Sequence, residues 1–332
     1  MSSTPTRPEP DTLRNTLDAL IIGGGPAGLA SALALGRVLR SAAFFDSRQY
    51  RNETSDHAHT IPMHDGESPA SVRNRMRSEI ETKYKTITFV DSKVETARKN
   101  DAVFEVVDDH GKVWKGRKLI LATGSQDILP DIPGFKEAWG KGILHCLFCR
   151  GFEEAQAGIS QAAIIIPEEV SAQDAENFLV FCQMMLQFSP QHLTVLLNGN
   201  AMSPSHHKIS ALAVSRGFRI EGKIIKRLTY SGNGAKTTVN YADGSDETFD
   251  LLFYSPPSKP HGDIAAQLGL ETTTSGNIKI LGSLQETSLY GVFGAGDCST
   301  EVKKIAVAMG AGVSAGIGAN SQIIKEDIEH SL

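Results

Sequence analysis

Cysteine is scarce in this chain of 332 residues, which holds only Cys146, Cys149, Cys182 and Cys298. Four thiols so unevenly placed do not make the framework of a secreted disulfide scaffold, and a reducing, cytoplasmic setting is the expectation. No apolar stretch precedes Leu17, so neither a signal peptide nor a membrane anchor is expected there; Met1 to Thr16, rich in Ser, Thr and Pro, reads as a disordered tail. One run without charge, Ile305 to Ile324, is built mostly from Ala, Gly, Ser and Val with Gly312 and Gly316 in GxxxG spacing. It lacks the Leu, Ile and Phe content that drives insertion, and a tightly packed soluble helix is the better reading. No basic run stands out, and 33 Lys+Arg against 38 Asp+Glu give a net charge of −5, so nucleic acid is not an expected partner. Hydrophobic residues at 40% and charged residues at 21% sit near globular averages and exclude a largely disordered chain. Glycine is what abounds: 31 residues, many in clusters that suit tight turns around a ligand.

The length suits two domains of about 150 residues each. Leu17 to Ile22 is a short apolar run that ends in Gly23-Gly24-Gly25-Pro26-Ala27-Gly28; small and aliphatic residues then continue helically to about Leu39, and Ser41 to Asp46 reads as a second strand. This is a βαβ unit. Thr86–Val90, Val103–Val107, Lys112–Trp114 and Lys118–Ala122 predict a small meander. Pro130, Pro133 and the glycines behind them mark a boundary, after which Gln161–Ile166, Ala172–Phe188, His192–Leu197 and Ser205–Val214 repeat the strand and helix alternation. Pro256-Pro257 breaks the chain again, and the terminal Gly291-Val-Phe-Gly-Ala-Gly-Asp297 with its small-residue helix belongs beside the first glycine loop. The expected fold is therefore α/β with two Rossmann-like, three-layer domains. A discontinuous cofactor domain (17–126 and 257–332) carries an inserted lobe, 127–256, that resembles a second nucleotide domain and holds a CxxC pair.

Gly23, Gly25 and Gly28 form GxGxxG between strand and helix, and Asp46 ends the second strand. In that arrangement Gly23 permits the turn, Gly25 lets a pyrophosphate reach the backbone at the helix N-terminus, Gly28 allows close packing, and Asp46 can bind a ribose hydroxyl. Two further small-residue turns, Ala122-Thr123-Gly124 and Gly294-Ala295-Gly296-Asp297, can meet the same ligand, with Asp297 well away from the pyrophosphate loop. FAD fits this better than NAD. Cys146-Leu-Phe-Cys149 is the sole CxxC. Neither Cys182 nor Cys298 stands at metal-ligand spacing from it, so no metal is expected. A reducible disulfide is the reading, with His145 placed to move protons and Arg150 flanking the pair; a chance CxxC is the alternative.

Together GGGPAG, Asp46, LATG, CxxC in the inserted lobe and GVFGAGDC resemble the low-molecular-weight thioredoxin reductase family, in order across nearly the whole chain. Asp46-Ser47, Tyr50-Arg51-Asn52, His57-x-His59 and His145-Cys-Leu-Phe-Cys149 are similar, more narrowly, to the fungal gliotoxin-oxidase-like branch. That resemblance implies a homodimeric FAD enzyme that oxidises dithiol metabolites, of epidithiodiketopiperazine type, to disulfides and passes the electrons to oxygen. It implies FAD contacts at Gly24 to Ala27 for the pyrophosphate and at Asp46, Ser47, Arg48, Gln49, Tyr50 and Arg51 around the adenosine. His59, Ala122 and Asp297 lie further along, and Lys304 and Ile305 open the last helix near the isoalloxazine. It also implies that Cys146 is the more exposed thiol and that Cys149 faces the flavin.

Two departures bear on function. Where the second lobe should carry a glycine-rich NADPH turn stands Pro167-Glu168-Glu169, whose acids repel a pyrophosphate, and Leu197-Asn-Gly-Asn200 offers no Arg cluster for a 2′-phosphate. His206-His207-Lys208 reads as a solvated helix face rather than a substitute. Arg150 occupies the place of the family's acid after the second cysteine, where it favours a thiolate at Cys149 and leaves His145 as the nearest protonatable group. His57, Met63, His64 and Phe152 read as loop packing or surface. The rival functions are an NADPH-dependent thioredoxin reductase and a flavin-bound redox sensor.

Overall fold

The computed structural model describes residues 16–170, 172–188, 192–200 and 204–331, so the N-terminal tail lies outside the described residues except for Thr16. The chain divides into two compact units: 1–53, 69–126 and 258–332 form the first, and 54–68 with 127–257 the second. Segment 54–68, counted with the cofactor domain on sequence grounds, thus belongs with the CxxC lobe. Its own bridge, Ala58 to Glu67, closes it as a local excursion of the chain.

In the first unit β1 (Leu17–Ile22) leads through the glycine turn into α1 (Pro26–Arg37) and then β2 (Ala42–Phe45), α2 (Pro69–Lys83) and β3 (Ile87–Val90). Both faces of β1 and β2 are covered, which is why their sequences run apolar without alternation. β4 (Val94–Asn100), β5 (Val103–Asp108) and β6 (Val113–Leu121) follow. Lys112–Trp114 and Lys118–Ala122, read as two strands, are one: Gly116 between them is no breaker, because a Cβ there would come within 2.7 Å of the Leu20 side chain. β4 escaped sequence reading because only Val94 and Ala97 of its seven residues are buried. Likewise β3 is a parallel partner of β2 rather than part of a meander.

β7 (Ser125–Asp127) leads into the second unit. There α3 (Phe135–Ala138), β8 (Ile143–Leu144), α4 (Leu147–Ala157), β9 (Ala162–Ile165), α5 (Ala172–Met185), β10 (Leu193–Leu196), α6 (Pro204–Ser215) and β11 (Arg219–Glu221) alternate. β12 (Ile225–Tyr230), β13 (Thr237–Tyr241) and β14 (Asp246–Phe249) make an antiparallel meander, and β15 (Leu251–Phe253) completes a parallel sheet in the order β11-β10-β9-β15-β8. The first unit resumes with β16 (Ser258–Pro260), α7 (Ile264–Gln267), β17 (Val292–Gly294) and α8 (Ile305–Glu329). Its sheet runs β3-β2-β1-β6-β5-β4, with β17 beside the end of β6 and parallel to it. The two units are Rossmann-like α/β folds.

The small residues of α8 have a packing reason. A Cβ on Gly312 would lie 2.1 Å from the Ala27 carbonyl oxygen, and the Ser31 hydroxyl lies 2.9 Å from the carbonyls of both Ala27 and Gly312, so α1 and α8 touch backbone to backbone. Among the described residues no helix is long and apolar enough to cross a membrane.

Candidate functional site

In the second unit β8 ends at Leu144, and the chain turns through His145 and Cys146 into α4. Cys146 is the extended N-cap of that helix and Cys149 sits in its first turn, its N–H donating to the Cys146 carbonyl at 3.1 Å. The two are joined as a disulfide with Cα atoms 5.3 Å apart. Once the bond opens, the helix N-terminus stabilises negative charge on the sulfurs. The disulfide opens on a pocket lined by Ser55, Asp56, His57, Gly140, Leu144, His145 and Arg150, all of the second unit. His145 is half-buried and stacked on Trp139, ring centroids 5.3 Å apart, while Trp139 stacks on Phe135 and meets the edge of Tyr254. An aromatic pile thus fixes the imidazole beside Cys146.

Arg150 lines the same pocket and has an acidic partner. Its Nε lies 2.7 Å from Oε1 of the buried Glu154 one turn on, and its Nη1 donates to the Lys141 carbonyl at 3.2 Å. Its charge beside the pair is therefore matched by Glu154. His57 is exposed and also lines the pocket. Met63 and Phe152 are exposed, and His64 pairs with Glu67 at 3.0 Å. His59, a cofactor candidate on sequence grounds, is held by second-unit residues, with Nδ1 3.2 Å from Asp65 and Nε2 3.5 Å from Glu153.

The remaining cofactor candidates converge in the first unit. Gly23 has φ of +123°, and a Cβ there would meet the Ala122 carbonyl oxygen at 2.1 Å, so only glycine lets the turn cross the end of β6. Beyond it α1 begins with Gly25 as N-cap, Pro26 at its first position, no side-chain cap and no acid in the first turn. A Cβ on Gly25 would meet nothing within 4 Å, whereas one on Gly28 would meet the Gly23 carbonyl oxygen at 2.0 Å. This is an open cradle of backbone donors and positive helix dipole, fitted to a pyrophosphate.

Asp46 is buried, and its carboxylate accepts from the Arg48 backbone N–H (2.8 Å) and the Tyr50 hydroxyl (2.7 Å). A carboxylate has about four acceptor positions, so capacity for a ribose hydroxyl remains. Burial and the bond to Asp46 push the Tyr50 phenol up to about 12. Ser47 and Gln49 lie on the same loop, which turns at Arg48 with φ of +59°. Sequence reasoning missed its outer support: the Arg73 guanidinium lies 3.8 Å from the Tyr50 ring centroid and donates to Asn52, and Arg77 and Arg48 share Asp91. The signal was there in α2, where two arginines stand four apart and face the same loop.

Gly296 of the GAGD turn packs against Ala27, and Asp297 meets Arg51 at 3.5 Å. Lys304 is the N-cap of α8, with Ile305 its first helical residue. Burial first, and then Arg51, push the Lys304 amine down. Cys298 is fully buried, its thiol pushed up by burial and donating to the Leu121 and Ala295 carbonyls, so it is a packing residue.

At the end of β9, where the second unit would hold its own nucleotide, the geometry differs. Pro167 is buried and has no N–H to offer, and Glu168 and Glu169 are exposed. The Pro167 carbonyl accepts a hydrogen bond at 3.0 Å from Nε2 of His206, which is fully buried rather than on a solvated helix face. Burial pushes the His206 imidazole down.

Glycine cradle, Asp46 loop and disulfide together define a flavin-dependent disulfide oxidoreductase. Residues 17–166 match the pyridine nucleotide-disulphide oxidoreductase family. The chain is 40% identical to thioredoxin reductase sirT of Leptosphaeria maculans over 96% of its own length and 97% of that protein's, and 37% identical to thioredoxin reductase tcpT of Claviceps purpurea over 94% and 96%. Among solved structures it resembles a putative thioredoxin reductase TrxB from Bacillus anthracis (26% identity, 94% and 99% covered, TM-score 0.82) and HlmI (25%, 96% and 96%, 0.82). The chain belongs to the thioredoxin reductase-like enzymes, in their fungal gliotoxin-type branch, and its cofactor is FAD.

Proposed function

We propose that this enzyme oxidises a small-molecule dithiol to a disulfide, working as a homodimer with oxygen as electron acceptor. By resemblance the substrate is of epidithiodiketopiperazine type, and the reaction belongs to making, or protecting against, a sulfur-containing secondary metabolite. One observation carries the reading: the disulfide opens on a pocket with imidazoles, while the turn after β9 carries Pro167, its carbonyl tied to His206, and two exposed carboxylates instead of glycines.

A substrate thiol gives its proton to His145, fixed on Trp139, as its sulfur attacks Cys146, forming a mixed disulfide and releasing Cys149 as thiolate. The second substrate thiol then attacks its own sulfur in the mixed disulfide. The product leaves as a disulfide, and both cysteines are reduced. Bound FAD supplies the two-electron chemistry that connects the reduced pair to oxygen, giving peroxide. Gly24 to Ala27, the loop from Asp46 to Arg51, and Ala122, Asp297, Lys304 and Ile305 would hold it, with His59 a further contact implied by resemblance.

The relatives' names favour a second reading, reduction of thioredoxin by NADPH. Oxygen uptake separates the two. Under the first reading the holoenzyme with dithiothreitol consumes one oxygen and releases one peroxide per dithiol, Cys146→Ser abolishes this, and NADPH with thioredoxin supports none of it. Turnover with NADPH and thioredoxin would establish the second.

A further inference from the structure

Oxidising a dithiol releases two protons, and the pocket holds more than one group able to take them. The family's acid after the second cysteine is replaced by Arg150, which is matched by Glu154. The titratable groups facing the disulfide are therefore His145 and Arg150 from its own segment and Asp56 and His57 from the loop 54–68.

One ring nitrogen of His57 is fixed by a hydrogen bond. Its Nδ1 lies 2.9 Å from the Gly66 carbonyl oxygen. A carbonyl only accepts, so Nδ1 carries a hydrogen committed to Gly66, and Nε2 is the ring nitrogen left to exchange a proton. Its neighbour His59, ring centroid 6.3 Å away, differs: both its nitrogens face acids, Asp65 and Glu153. His64 is likewise engaged by Glu67 and does not line the pocket. Of the three histidines on this loop, His57 is the one that lines the pocket with the disulfide, its Nδ1 committed to Gly66.

The geometry points to His57 as a second general base of the thiol–disulfide exchange, an inference that rests on the proposed dithiol chemistry at this pocket. In the step it serves, a thiol S–H gives its proton to Nε2 while its sulfur bonds to a cysteine sulfur and the bond to the other sulfur breaks. The electron pair of the broken bond stays on the departing thiolate, so charge and atoms balance with no further reagent. The proton later leaves to solvent across the exposed face of the ring.

The test uses holoenzyme and dithiothreitol without oxygen, with newly formed cysteine thiols trapped by N-ethylmaleimide at timed intervals between pH 6 and 9. His57→Asn keeps a donor where Nδ1 binds Gly66 and removes the base. Opening of the Cys146–Cys149 bond is expected to slow by about 10- to 100-fold near pH 7. In the variant the rate should then climb about tenfold per pH unit, following ionisation of free dithiothreitol, where the native enzyme gives a flatter profile. Added imidazole should restore part of the rate in His57→Ala, which a merely structural defect would not allow, and His64→Gln should behave as native. An unchanged rate and pH slope in His57→Asn, with both variants folded and flavin-loaded, overturns the role of His57. Re-oxidation by air is read separately: if it fails in the native enzyme, the oxidase reading falls while the result for His57 stands.

Discussion

In the first unit the chain leaves β1 through three glycines and enters α1 with no side chain over its N-terminus; in the second it leaves β9 through Ile166 and Pro167, whose carbonyl is tied to a buried histidine. Both turns sit at the carboxyl ends of parallel strands, the place where open α/β sheets take up nucleotides. What separates them is the supply of backbone donors. One turn offers N–H groups to a pyrophosphate, and the other offers a proline, two carboxylates and an already satisfied carbonyl. The lesson is that one sheet plan serves as a cofactor cradle or as a frame for a disulfide according to a handful of residues in one turn.

The largest way to break this contrast is to close the open turn. Gly25→Asp sets a carboxylate into the space at the α1 N-terminus, and we expect purified protein to lose nearly all FAD, read as absorbance near 450 nm against 280 nm, with far-ultraviolet circular dichroism retained. The cysteine variants sharpen it from the other side. Cys146→Ser and Cys149→Ser should each abolish flavin reduction by dithiol while FAD content stays native, since both sulfurs lie in the second unit. A middle-sized effect is expected from His206→Ala, which strands the Pro167 carbonyl. Losing that buried bond costs about 1–3 kcal/mol, and at about 2–4 °C per kcal/mol the Tm should fall by several degrees without gain of NADPH binding.

The smallest effect is in pH. Burial depresses the folded-state pKa of His206 below its unfolded value, so the unfolded chain binds the proton first as pH falls. Its contribution to stability is full above the ordinary imidazole pKa and is lost progressively below it. Urea unfolding between pH 7.5 and 5 should show this slope in the native protein and a shallower one in His206→Gln.

Much of the first unit was legible, because its turn needs glycine for reasons of backbone conformation and close approach that leave few other residues possible. Asp46 and the GAGD turn were legible through spacing, whereas Ser47 to Arg51 were legible only through the family resemblance. The supports were not: Arg73 on Tyr50, Trp139 under His145 and Glu154 against Arg150 are long-range or cross-turn contacts with no fixed spacing in sequence. His206 was misread because a His-His-Lys run on a helix resembles a wet face, and only the fold shows that one of the three points inward. The same holds for the loop 54–68, whose place with the disulfide rather than with its sequence neighbours follows from tertiary packing.

Electrons are expected to enter through the cysteine pair from a dithiol and not from a nucleotide. Anaerobic titration of the holoenzyme, followed at the flavin band near 450 nm, tests it directly. Bleaching by dithiothreitol, no bleaching by NADPH and recovery of the band when air is admitted are expected; bleaching by stoichiometric NADPH would overturn this route of electron entry.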